Sequence, residues 1–166
     1  MTNLIQTLIS GLSLGSIYAL IALGYTMVYG IAKMLNFAHG DVIMVGAYSG
    51  IVAVAQLGLS PWVTVIVSIV VCAVLGVVIE FCAYKPLRQA APLSVLITAI
   101  GVSYLLQNAA LLLFGSQQMA YPTLVKLGSF SLGGVQVDGI TVLTLAVTAV
   151  LMAALTLFID KTKLGK

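Results

Sequence analysis

Four side chains able to do chemistry crowd one short stretch of a chain that otherwise has few of them. Lys33, Asn36, His39 and Asp41 fall in and just before MLNFAHGD, Met34 to Asp41, and His39 is the only histidine among 166 residues. An imidazole titrates near neutral pH and a neighbouring carboxylate can orient it, so the pair invites a general-base reading. Upstream, GLSLG from Gly11 to Gly15 fits the G-x-S-x-G pattern of a nucleophile elbow, which would supply Ser13 as the third member of a hydrolase triad. A second reading needs no covalent chemistry. Asp41 at a helix start is a normal N-cap, and Gly40 lets the chain break before that helix, presenting its first N–H groups to a carboxylate ligand. The elements around these residues decide between them.

Composition comes first. The chain is 61% hydrophobic and 7% charged, with a mean hydropathy of +1.20, where a soluble domain carries about 25% charged residues. A chain this apolar cannot bury its surface in one small core, and the solvent that suits it is a lipid bilayer. The net charge of +3 does not point to a nucleic-acid partner, because the seven Lys and Arg are scattered at helix ends rather than gathered on one face. Cys72 and Cys82 share one apolar run without a paired histidine or a second C-x-x-C, which disfavours metal and disulfide readings. No cofactor is expected. Without a G-x-x-x-x-G-K-[ST] loop, ATP would have to bind another chain.

Five apolar runs read as spans of an all-α polytopic helix bundle: Leu4 to Tyr29, Val42 to Leu57, Trp62 to Tyr84, Leu93 to Phe114, and Ile140 to Ile159. The second is short. YKPLRQAAP, after the third, reads as a basic connection whose prolines disfavour continuous helix. With five spans the connections alternate sides, so Lys33, Lys85, Arg88, Lys161, Lys163 and Lys166 share one side and Lys126 stands alone on the other. The positive-inside rule then makes the first side cytoplasmic and leaves the N-terminus outside. Parity also sets MLNFAHGD at the cytoplasmic boundary. In the outer loop, SFSLGGVQVDG is either a short hairpin, with Phe130 and Leu132 alternating before Gly-Gly, or an irregular segment.

These spans weaken the triad, since GLSLG lies inside a continuous helical run where no elbow forms. Gly11, Gly15 and Ala19 instead step along one helix face, as do Gly46 and Gly50, and helix packing is the expected role of both rows. In the third span Ser68, Cys72, Gly76 and Glu80 recur at steps of four, and Glu80 is expected to pair with Lys85 or Arg88. In the fourth, Ser94, Thr98, Gly101, Tyr104 and Asn108 share one sector, and the Asn108 amide must find a partner or water deep in an apolar span.

GLSLGSIYALIALGYTMVYGIAKMLNFAHGDVIMVGAY, Gly11 to Tyr48, together with YKPLR, Tyr84 to Arg88, closely resembles the permease subunits of bacterial branched-chain amino acid ABC importers. The resemblance implies an inner-membrane transporter subunit, not an enzyme. It also implies a second permease subunit, two cytoplasmic ATPase subunits, and a periplasmic binding protein delivering leucine, isoleucine or valine. Related permeases carry other amino acids, short amides or urea. In such permeases a coupling segment follows a basic TKLG-like stretch, so residues 1–166 are expected to form a single but partial transmembrane permease domain. Asn36, His39, Asp41 and Asn108 are the expected pathway residues. The rival classes are an intramembrane serine hydrolase using Ser13 and His39, and a passive channel.

Overall fold

The computed structural model describes residues 2–33, 35–122, 128–132 and 135–161. In order these form α1 (Thr2–Ala32), α2 (His39–Ala55), α3 (Pro61–Ile79), a π turn (Glu80–Tyr84), a 3₁₀ turn (Lys85–Leu87), α4 (Pro92–Phe114), strands β1 (Ser129–Leu132) and β2 (Val135–Asp138), and α5 (Gly139–Lys161). Asn3–Gly30, Pro61–Leu87, Pro92–Phe114 and Gly139–Phe158 are long and apolar enough to cross a membrane, and α2 is a shorter apolar helix. Lys126, Lys163 and Lys166 lie outside the described residues.

Contacts divide the chain into two units, residues 1–33 with 125–166, and residues 34–124. In the first unit α1 packs on α5, and β2 touches both helices. Of the two readings of SFSLGGVQVDG, the hairpin is the one present: β1 and β2 are antiparallel, with Phe130 opposite Val137 and Leu132 opposite Val135. The Gly139 N–H donates to the Gly128 carbonyl at 3.2 Å and closes its neck. At the end of α1, Lys33 takes a left-handed conformation with φ 54. Its N–H donates back to the Tyr29 carbonyl at 2.8 Å, satisfying a carbonyl that the helix end would leave open.

GLSLG lies within α1, where the Ser16 hydroxyl donates to the Ser13 carbonyl at 2.7 Å. Among the described residues Ser13 sits within continuous helix, not at the strand-to-helix turn that makes a serine nucleophilic in an elbow, and the hydrolase reading fails on geometry. The packing expected of the Gly11, Gly15 and Ala19 row also takes a different form. A Cβ at Gly11 or Gly15 would meet no described atom within 4 Å, so the two glycines stand open within the described chain while Ala19 is partly buried.

In the second unit α2 packs along α3, and α4 contacts α2 and the π turn. Gly46 and Gly50 do the packing expected of them. A Cβ on Gly46 would come within 2.6 Å of Cys72 Sγ, and one on Gly50 would meet Ser68 Oγ at 3.2 Å and collide with the Tyr121 hydroxyl. Small residues let the two backbones approach, and short polar side chains bond across the seam. Ser49 Oγ donates to Ser68 Oγ at 3.3 Å, and Cys72 Sγ donates to the Val42 carbonyl at 3.5 Å. Ile79, Tyr84, Val95 and Ala99 form the buried cluster beneath, joined by Val42, Val102 and Leu106.

The third span runs on further than YKPLRQAAP suggests. Helical turns continue to Leu87, with Pro86 inside the 3₁₀ turn. A proline removes one backbone donor and crowds the preceding turn, and a local change of helix pitch is how a chain accommodates both.

Candidate functional site

The site is built from the segment leading into α2 outward. Residues 35–38 are not helical, and their polar groups are met locally by Asn36. Its Oδ1 accepts from the Ala38 N–H at 3.1 Å and from the Tyr84 hydroxyl at 2.8 Å, while its carbonyl accepts from the His39 N–H at 3.2 Å. Asn36 thus ties the approach to α2 onto the π turn after α3. Tyr84→Phe is expected to lower thermal stability by about 1 kcal/mol, the usual net value of one such bond, read as a modest fall in the midpoint of detergent-solubilised protein. An unchanged midpoint would show that the tie carries no load.

α2 opens at His39 with Ala38 as its N-cap, and no side chain caps it. The expected capping role of Asp41 is therefore corrected. Asp41 is the third residue inside the helix, and its carboxylate turns away from the helix end to a neighbour: Gln107 Nε2 donates to Asp41 Oδ1 at 3.0 Å and to Ser103 Oγ at 3.1 Å. Asp41 is 8% exposed. The first-turn position still suits an anion, because the helix N-terminus is the positive end of its dipole.

Depth is the second correction. Gln107 lies fifteen residues into α4 from Pro92, about 22 Å along its axis, and α4 is a candidate span in its own right. Asn36 meets Tyr84 near the end of the third span, whereas Val42 meets Cys72 near its middle. The chain climbs beside α3 without helical structure and begins α2 well inside the span. MLNFAHGD is therefore not confined to the boundary where charge parity placed it. Hydropathy averages over a window and does not register an unwound approach to a short helix.

Of the four expected pathway residues, Asn36, half-buried His39 and Asp41 gather at the start of α2. Asn108 does not join them: it is exposed, and its Nδ2 donates to the Tyr104 carbonyl of its own helix at 2.7 Å. The α4 residue that reaches Asp41 is its neighbour Gln107. Sequence carried a signal for it, since Ser103 and Gln107 are spaced i, i+4 in an otherwise apolar run.

Beyond Gln107 lies a cleft of about 610 Å³, lined on α2 by Met44, Tyr48 and Ile51, on α4 by Gln107 and Leu111, and across the top by Tyr121. Gly115, at φ 79, turns the chain at the end of α4, and residues 115–119 come back along the cleft. The Tyr48 ring stacks on Phe114 with centroids 4.2 Å apart. An apolar wall, a primary amide and a carboxylate behind that amide suit reversible binding of a small polar molecule with an aliphatic side chain.

Comparison with known proteins bears on the chain as a whole. The family model for the branched-chain amino acid transport system permease component matches residues 7–166. The chain is 44% identical over 174 residues to the high-affinity branched-chain amino acid transport system permease protein BraD of Pseudomonas aeruginosa, covering 98% of this chain and 57% of that protein. It is 39% identical over 175 residues to the corresponding permease protein LivH of Escherichia coli, covering 98% of this chain and 56% of LivH. The protein named probable branched-chain amino acid transport permease protein LivH of Methanocaldococcus jannaschii is 30% identical over 159 residues, covering 90% of this chain and 49% of that protein. The chain thus spans little more than half the length of these relatives. No solved structure matches it significantly. With a family match running through both units and all five helices, the chain belongs to the branched-chain amino acid transport permease family and is a multi-pass protein of the inner membrane.

Proposed function

We propose that the chain supplies part of the substrate pathway of an ATP-driven importer of leucine, isoleucine and valine, and that the cleft between α2 and α4 belongs to that pathway. The observation carrying this reading is the Gln107–Asp41 pair beside an apolar wall of suitable size. A branched-chain amino acid brings an ammonium, a carboxylate and an aliphatic side chain. Asp41 offers the ammonium a negative charge, the first N–H groups of α2 favour the carboxylate, and Met44, Ile51 and Leu111 take the side chain. A half-helix starting inside the span suits this, because irregular backbone at such depth is tolerated where it is buried in protein or lines a cavity. The importer would include a second permease, two cytoplasmic ATPases and a periplasmic binding protein. The N-terminus would lie outside, which turns the cleft end of α2 and α4 toward the binding protein.

The test is uptake of labelled leucine by cells carrying the full-length permease with its partners, at matched membrane expression. Gln107→Leu is expected to reduce uptake about tenfold or more, the effect of losing a hydrogen bond to a charged group. Asn108→Ala asks whether the adjacent amide also serves the pathway, and unchanged kinetics would remove it. Unchanged uptake with Gln107→Leu would remove the cleft from the pathway.

A further inference from the structure

At the other end of α3 a second groove opens, unrelated to the cleft and lined by Ala73, Gly76, Val77, Phe81, Lys85 and Arg88, with Glu80 at its edge; its volume is about 600 Å³. A regular α-helix would not build it. Glu80 would then stack with residues three and four further on, and Lys85 would point elsewhere. The π turn changes this: the Lys85 N–H donates to the Glu80 carbonyl, and the inserted residue brings Glu80, Lys85 and Arg88 to one mouth. There Arg88 pairs with Glu80 at 2.6 Å, while the Lys85 ammonium lies 4.5 Å from the Phe81 ring centre. Among the described residues Lys85 has no ion-pair partner. The mouth therefore carries one positive charge more than it neutralises. The floor is apolar and roomy, since a Cβ on Gly76 would meet no described atom within 4 Å, and Val77 and Phe81 are 68% and 63% exposed.

We propose that this groove is a site for an anionic phospholipid of the inner leaflet, with an acyl chain along Ala73, Gly76 and Val77 and the phosphodiester held by Lys85 and Arg88. Charge and position both favour this occupant over an uncharged helix. A phosphodiester carries the single negative charge that the mouth lacks. The groove also runs along the last turns of the Pro61–Leu87 span, its cations at the end, the level at which headgroup phosphates meet the hydrocarbon. The site rests on α3 and the turns that follow it, and does not depend on which solute the cleft carries.

The test is native mass spectrometry of the full-length permease, with whatever copurifies, released from a neutral detergent and titrated with phosphatidylglycerol or phosphatidylcholine of the same acyl chains. One phosphatidylglycerol should be retained in preference, by about fivefold for each basic group. Lys85→Gln with Arg88→Gln should abolish the preference. Gly76→Leu should weaken retention while leaving the charges in place, because it fills the floor. Circular dichroism and gel filtration confirm that each variant is folded. Equal retention of the two lipids overturns the proposal, as does a preference that survives the double substitution. Loss with the double substitution but not with Gly76→Leu reduces the groove to a bare basic surface and overturns the site. Absence of any adduct, with a protein partner crosslinking to Phe81, assigns the groove to that partner and overturns it too.

Discussion

Gly46→Leu is expected to destabilise the permease by about 1 to 3 kcal/mol, the cost of overpacking a closed seam, and to lower the detergent melting midpoint more than any exposed-site substitution. A Cβ at this position would sit 2.6 Å from Cys72 Sγ, and leucine adds three further carbons. The sulfur can move only by rotating about χ1, which breaks its bond to the Val42 carbonyl. Relief therefore requires α2 and α3 to move apart. Val42 adjoins Asp41, so the displacement should also disturb the Gln107 pair and reduce uptake. Gly46→Ala is the milder version, and Gly46→Ala with Cys72→Ala should recover most of the lost stability, since removing the sulfur restores the space without placing a glycine inside α3. That non-additivity is the signature of direct contact. Additive losses, or a Gly46→Leu protein as stable as the parent, would mean that the two helices do not meet here.

Asp41 should give the largest functional effect. Asp41→Asn keeps an oxygen facing Gln107 and nearly the same shape, so its folding stability should stay close to that of the parent. It removes the negative charge proposed to attract the substrate ammonium, and uptake is expected to fall about ten- to a hundredfold, mainly through a raised KM. Asp41→Leu goes further, removing the acceptor of the Gln107 amide from a buried position, and both stability and uptake should drop. Two measurements separate the roles: melting of the purified variants and concentration-dependent uptake at matched expression. Parental kinetics for Asp41→Asn would confine the residue to a structural bond between α2 and α4.

What the sequence shows and what it hides follow from which forces act over short range. The spans and the hairpin are legible because hydropathy and strand alternation are properties of consecutive residues: Phe130 and Leu132 alternate with polar or small neighbours, and so do Val135 and Val137. Gly46 and Gly50 are legible because spacing of four fixes a helix face. The same rule says nothing of whether a partner is present, which is why Gly11 and Gly15 look alike in sequence and yet stand open. The role of Asp41 is hidden because residue type alone suggests a cap, while the N-cap is Ala38, whose N–H is held by Asn36. Gln107 was missed for a related reason. An amide in an apolar helix announces only that it needs a partner, and the choice between Gln107 and Asn108 depends on how α4 is rotated against α2.

The short α2 has a consequence for how the chain enters the bilayer. It has 17 residues, about 25 Å of helix against about 30 Å of hydrocarbon, and it carries in its first turn a carboxylate, Asp41, that adds to the cost of insertion. Pro61–Leu87, by contrast, has the highest hydropathy of the candidate spans, 2.9. The two are joined by a tight turn and locked by the Gly46–Cys72 seam. The unit that the insertion machinery must accept is therefore the α2–α3 hairpin, in which the strongly apolar arm carries the weaker one across.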